Sequence, residues 1–184
     1  MKMRLRLAAL LTLTLGASLC LAPAPAAAQR HDPLTRKEVD DLREAAQMPD
    51  ARTKLFLGFA RARLEASEKL HADPLQQPQA LSELRRLLDD FTAIVDELDD
   101  NLAAFDNRGT DLRAALRTVI ETETEFQQRL RKIRETFPPA VLQQVNVELE
   151  NASESVEDSV KSSRALLDKQ NERKEQEKAE KKAR

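Results

Sequence analysis

Apolar residues recur along this chain at helical spacing. The clearest run is Leu84, Leu88, Phe91, Val95, Leu98, Leu102 and Phe105, whose steps alternate between four and three. That is an unbroken heptad seam, the pattern by which a helix buries one stripe against its neighbours. Asp106-Asn107-Arg108-Gly109 follows, with Gly109 suited to the left-handed geometry that closes a helix. Thr110 or Asp111 is placed to cap the next helix. So short a connection predicts antiparallel neighbours, an αα-hairpin.

The next run holds Leu112, Leu116, Val119, Phe126, Leu130, Ile133 and Phe137. Glu123 falls in the step between Val119 and Phe126, a charge in an apolar seam. Two readings are open for it. In one, the helix rotates slightly, Glu123 sits at the seam margin and Ile120 fills the gap. In the other, Glu123 is buried and pairs with a base such as Arg61 or Arg63, fixing register at some cost in stability. Pro138-Pro139 then breaks or sharply kinks the chain. A last periodic run carries Leu142, Val145, Leu149, Ala152, Val156, Val160 and Leu167, with side chains that shrink toward its end, so looser packing is expected there.

Upstream, Leu34-Thr35 opens a helix, with Thr35 and Glu38 in the spacing of a capping box. Val39, Leu42 and Ala46 give it one apolar face, and Met48-Pro49 ends it. Pro49 suits the first turn of the following helix, whose Leu55, Phe56, Leu57, Phe59, Ala60, Leu64 and Leu70 predict deep packing. Gly58 lies inside that segment, and close approach of another helix is the expected reason. Asp73-Pro74 ends it and Gln76-Gln77-Pro78 belongs to a loop. The fold class expected is all-α: an elongated antiparallel bundle of about four long helices, preceded by one short helix, with coiled-coil-like seams.

Composition narrows the class further. The 184 residues include no Trp or Tyr, six Phe and three isolated glycines, Gly16, Gly58 and Gly109, which excludes Gly-rich phosphate cradles and argues against a β-sandwich or barrel. Residues 1–28 change the charge balance. Lys2, Arg4 and Arg6 precede an apolar run from Leu7 to Leu21, and Ala26-Ala27-Ala28 supplies small residues for cleavage before Gln29. The run is too short to span a bilayer, which takes roughly 20 residues, and Pro23 and Pro25 break it. A cleavable signal peptide over 1–28 is expected, and with it a periplasmic or secreted protein. Leu19 before Cys20 argues against lipid attachment.

Removing that segment takes away Cys20, the single cysteine, and leaves 27 basic against 32 acidic residues, a net charge of −5. A weakly acidic exported chain without thiols is expected to bind no nucleic acid, and to be held by packing alone. No other apolar run is long enough to span a membrane, so no stable span is expected in the mature chain. The domain division expected is 29–168 for the bundle and 169–184 for a charged tail. The tail holds seven basic and four acidic residues. It reads as a frayed helical extension with Glu–Lys pairs, or as a basic segment touching anionic lipid or an acidic partner.

Candidate chemistry is sparse. His31 sits in a polar stretch. Glu68-Lys69-Leu70-His71 gives one E-x-x-H spacing, whereas di-iron bundles need two. Met48 and His71 lie at opposite ends of one helical segment, about 35 Å apart, too far to share a haem iron. Asp89-Asp90, Asp96-Glu97 and Asp99-Asp100 alternate with the seam as a solvated face would. There is no G-x-S-x-G, and Asn151-Ala152-Ser153 is a poor glycosylation acceptor on a helix. No catalytic, cofactor or metal residue is assigned.

Leu34-Thr35 with Glu38 resembles the L-T-x-x-Q motif of the small helical periplasmic chaperones of the Spy and CpxP type, with Glu in place of Gln and one copy in place of two. The likeness covers about four residues, which a capping box also explains. The function expected is non-enzymatic: binding or scaffolding through helix surfaces in the cell envelope, chaperone-like or self-associating. The alternative is a ligand or metal carrier that uses the bundle interior.

Overall fold

The computed structural model describes residues 31–72 and 78–183. The signal peptide expected at 1–28 and the expected chain break at Asp73-Pro74 lie outside the described residues. The described elements are α1 (Arg36–Glu44), α2 (Pro49–Ala72), α3 (Pro78–Asn107), α4 (Arg113–Thr136) and α5 (Pro139–Ala183), an all-α bundle. Each boundary has a local cause. Thr35 and Glu38 form the capping box at α1, with the Thr35 N–H donating to Glu38 at 2.7 Å and the Glu38 N–H to Thr35 Oγ1 at 3.3 Å. Proline opens α2, α3 and α5, where its missing N–H costs nothing. Gly109, at φ 75°, closes α3, with the Thr110 N–H bonded back to Phe105 O at 3.1 Å.

The N-cap of α4 differs from expectation. It falls on Leu112, which has no side-chain acceptor, while Asp111 takes the Arg113 N–H at 3.3 Å. Gly58 differs too. It is exposed, and a Cβ built there would meet nothing within 4 Å, so no neighbouring helix demands it.

The four long helices pack in the lateral order α2, α3, α5, α4 and back to α2, with α1 resting on α2. Successive helices run in opposite directions: Arg52 meets Asn101, and Arg63 approaches Asp90, as antiparallel α2 and α3 require. The expected α3–α4 hairpin is not a pair of neighbours, however. Among the described residues these two helices face each other across the diagonal of the bundle, and they meet through the Phe91 and Phe126 rings, 5.5 Å apart edge to face. The lateral partners of α3 and α4 are α5 and α2, and both of those pairs run parallel. Contacts step together along them: Arg85 to Gln144, Asp96 to Ser155 and Asp99 to Ser159 on one side, Arg61 to Glu125 and Glu68 to Arg129 on the other.

The α3 seam is buried along its whole length, from Leu84 to Phe105, and Phe56, Leu64, Leu116, Phe126, Leu130 and Leu149 complete the core. Burying each such side chain contributes roughly 1.5–3 kcal/mol. No described helix is long and apolar enough to cross a membrane.

Candidate functional site

The α4 seam does not skip Glu123. Val119, Glu123, Phe126, Leu130 and Ile133 keep the four–three alternation, and Glu123 is 0% exposed. Of the two sequence-based readings, the marginal one fails and the buried one holds for the burial alone. The residue is not at a margin, because it is fully buried. Nor does it pair with Arg61 or Arg63. Arg61 donates to Glu125 at 3.1 Å and lies over the Phe126 ring. Arg63 is committed to Glu38 through two bonds of 2.8 and 2.7 Å and to Pro33 O at 2.8 Å.

Neither carboxylate oxygen of Glu123 has a hydrogen-bond partner. An ionised carboxylate left so would cost many kcal/mol, and the usual response is to keep its proton. Burial therefore pushes its pKa up to about 8; the Ser159 hydroxyl pulls the other way, and the charge of Asp99 adds to the rise. Asp99 reaches the same region from α3 and accepts the Ser159 proton at 2.7 Å. Its own pKa rises to about 6, chiefly by burial, with the Ser159 bond opposing and Asp96, Asp100 and Asp158 reinforcing. Three helices thus bring two carboxyls and one hydroxyl together inside the bundle. One turn on, Ser163 is buried with an unpartnered hydroxyl.

The remaining candidates fall elsewhere. Of the paired carboxylates expected on a solvated face, Asp89, Asp96, Glu97 and Asp100 are exposed, but Asp90 is 4% exposed and bonded by Arg86 at 2.8 Å. Glu68 of the E-x-x-H spacing is gripped at both oxygens by Arg129, at 2.8 and 2.7 Å, which holds its carboxyl below the usual range. His31 is exposed. No described group of three or more His, Cys, Asp or Glu side chains could hold a metal ion.

A second polar cluster lies at the α3–α4 turn, inside the segment that composition sets apart as a tail. Gln170 is 5% exposed. Its Oε1 accepts the Leu112 N–H at 2.8 Å, and its Nε2 donates to Thr110 O at 3.0 Å and Asp106 Oδ1 at 2.9 Å. Lys169 and Arg173 flank it against Asp106. The bundle therefore includes Gln170. Beyond it α5 continues, and every residue from Glu175 to Ala183 is exposed.

The signal for both clusters was present in the spacing. Ser159, Ser163 and Gln170 continue the α5 stripe at steps of four and seven, but a search for apolar residues passes over them. No known protein family, no curated protein and no solved structure matches this chain.

Proposed function

We propose that this is an exported, non-enzymatic binding or scaffolding protein. It engages a protein partner, or a second copy of itself, through its helix surfaces in the periplasm or outside the cell. The observation that carries the reading is the length of α5. At 45 residues it is about 68 Å long, and it ends in a charged helical arm from Glu175 to Ala183 that is exposed throughout, with only Glu175 and Glu177 near Arg113 at the start of α4. A nearby surface supports the same reading. Arg131, Lys161 and Arg164, all exposed, surround a depression of about 390 Å³ between α4 and α5.

Carriage inside the bundle has less support, because Phe56, Phe91 and Phe126 fill its centre at 0% exposure. The test is photo-crosslinking in the native host from Lys178 on the arm, with Leu98 as a buried control. A discrete adduct from Lys178 alone, on envelope protein beginning near Gln29, is the expected result. Cytoplasmic protein retaining Met1, or no adduct from Lys178 and Arg131, would overturn the reading.

A further inference from the structure

We infer that Glu123, Asp99 and Ser159 form a proton-binding site that latches α3, α4 and α5 together, closed while Glu123 holds a proton and loosened when it loses it. The geometry carries this. Glu123 occupies a seam position at 0% exposure with both oxygens unpartnered, so the packed bundle accommodates its neutral form and opposes its anion. A neutral Glu123 has one proton to donate. The Ser159 oxygen, whose own proton is given to Asp99, keeps lone pairs that can accept it. The ionised form would place a second negative charge near Asp99 and compete with it for the Ser159 hydroxyl, which is already bonded to Asp99.

Among the described residues, no element packed against the pair supplies a compensating cation. On α4 itself the seam neighbours are Val119 and Phe126, and the exposed Glu125 is engaged by Arg61 of α2 at 3.1 Å. The other bases of α2 are directed elsewhere: Arg63 to Glu38, and Arg52 to Asn101 and Leu42 O, while Lys54 and Lys69 are exposed. From α5 come Ser159 and, toward Asp99, the acidic Asp158. From α3 come Asp99 and, outside it, Asp96 and Asp100. Among the described residues, the charges acting on the pair are those of aspartates.

The sign of the pH dependence comes from these shifts. Glu123 is raised from 4.5 to about 8 and Asp99 from 3.8 to about 6, so the folded chain holds protons that the unfolded chain has already released. Stability contributed by such groups is complete below their unfolded values and is lost as pH climbs through the folded ones. Asp99 is spent by about pH 6, as its folded value dictates, and the fall above that pH belongs to Glu123.

The test is urea unfolding of the full-length protein between pH 6.5 and 8.5, followed by helicity. The folding equilibrium constant of the wild type should fall roughly 25-fold across that range. Glu123→Gln keeps the shape of the neutral acid and cannot ionise, so its curve should be flat and should cross above the wild type at alkaline pH. Glu123→Leu serves the same purpose should the glutamine variant not fold. Asp99→Asn, which removes the neighbouring charge, should move the alkaline fall to lower pH, a shift that a merely structural role for Asp99 would not produce. A wild type with no pH dependence in this range would overturn the proposal, as would a Glu123→Gln or Glu123→Leu curve that falls like the wild type. An unmoved midpoint in Asp99→Asn would remove Asp99 from the site.

Discussion

Replacing Gln170 by Ala should destabilise the bundle by about 2–4 kcal/mol, although the residue lies in a stretch with no large apolar side chain. Leu112 is 0% exposed and its N–H has Gln170 Oε1 as acceptor, so truncation strands a buried donor, at a cost of roughly 1–3 kcal/mol. Thr110 O and Asp106 lose their bonds from Nε2 as well, although Asp106 retains Lys169 at 3.1 Å and Arg173 at 3.5 Å. That second loss adds about 1 kcal/mol. The measurement is the urea midpoint at constant m, with thermal melting as a check; the midpoint temperature should drop on the order of 5–10 °C. Two truncations sharpen the result. Ending the chain after Asp168 should cost at least as much as Gln170→Ala, whereas ending it after Lys174 should cost under about 0.5 kcal/mol, because the arm from Glu175 to Ala183 is exposed. A Gln170→Ala change below about 0.5 kcal/mol would refute the reasoning and return Gln170 to a solvated tail.

Three further outcomes are expected. Gly58→Ala should stabilise by roughly 1 kcal/mol in the same unfolding assay, since the added methyl meets nothing within 4 Å and helix propensity alone decides; a loss would show a neighbour close to α2 at that point. Leu98→Ala, at a seam position 1% exposed, should cost about 2–5 kcal/mol. On the acid side stability should fall as pH drops below the usual carboxylate range. Burial alone would raise Glu38, but the Arg63 guanidinium and the Thr35 donors outweigh it, and Arg129 lowers Glu68, so both contribute stability above their ordinary pKa that is lost on protonation. Arg63→Ala should flatten that acid limb; an unchanged slope would assign it to other carboxylates.

The helices were legible, and so were the ends with a strong local cause, such as the Pro139 start, the Gly109 closure and the Thr35–Glu38 box. Other ends differ: α3 starts at Pro78, which was expected in a loop, α4 starts after Leu112, and α1 stops at Glu44, short of Met48-Pro49. The lateral order was not legible. Neighbouring helix axes lie roughly 8–10 Å apart, which puts a diagonal partner about 11–14 Å away. The chain from Arg108 to Leu112 can stretch roughly 17 Å, so a short turn fixes antiparallel direction without choosing the neighbour. Glu123 was visible as an anomaly, but its surroundings come from Asp99 and Ser159, brought in by two other helices. Only the packed bundle shows that, among the described residues, no arginine pairs with it.

The diagonal crossing between α3 and α4 also bears on the order in which the bundle assembles. Helices joined by short links pair locally as α2 with α3 and α4 with α5, while each parallel interface joins residues about 60 positions apart, as with Asp99 and Ser159. Loop-closure entropy favours the local pairs first, so each half forms as its own hairpin and the two then dock face to face. The Glu123 carboxyl lies on the docking face of the second half and Asp99 on that of the first. In that order the acid pair is enclosed only when the halves meet, so the latch inferred from Glu123 would act on their joining more than on the winding of either one.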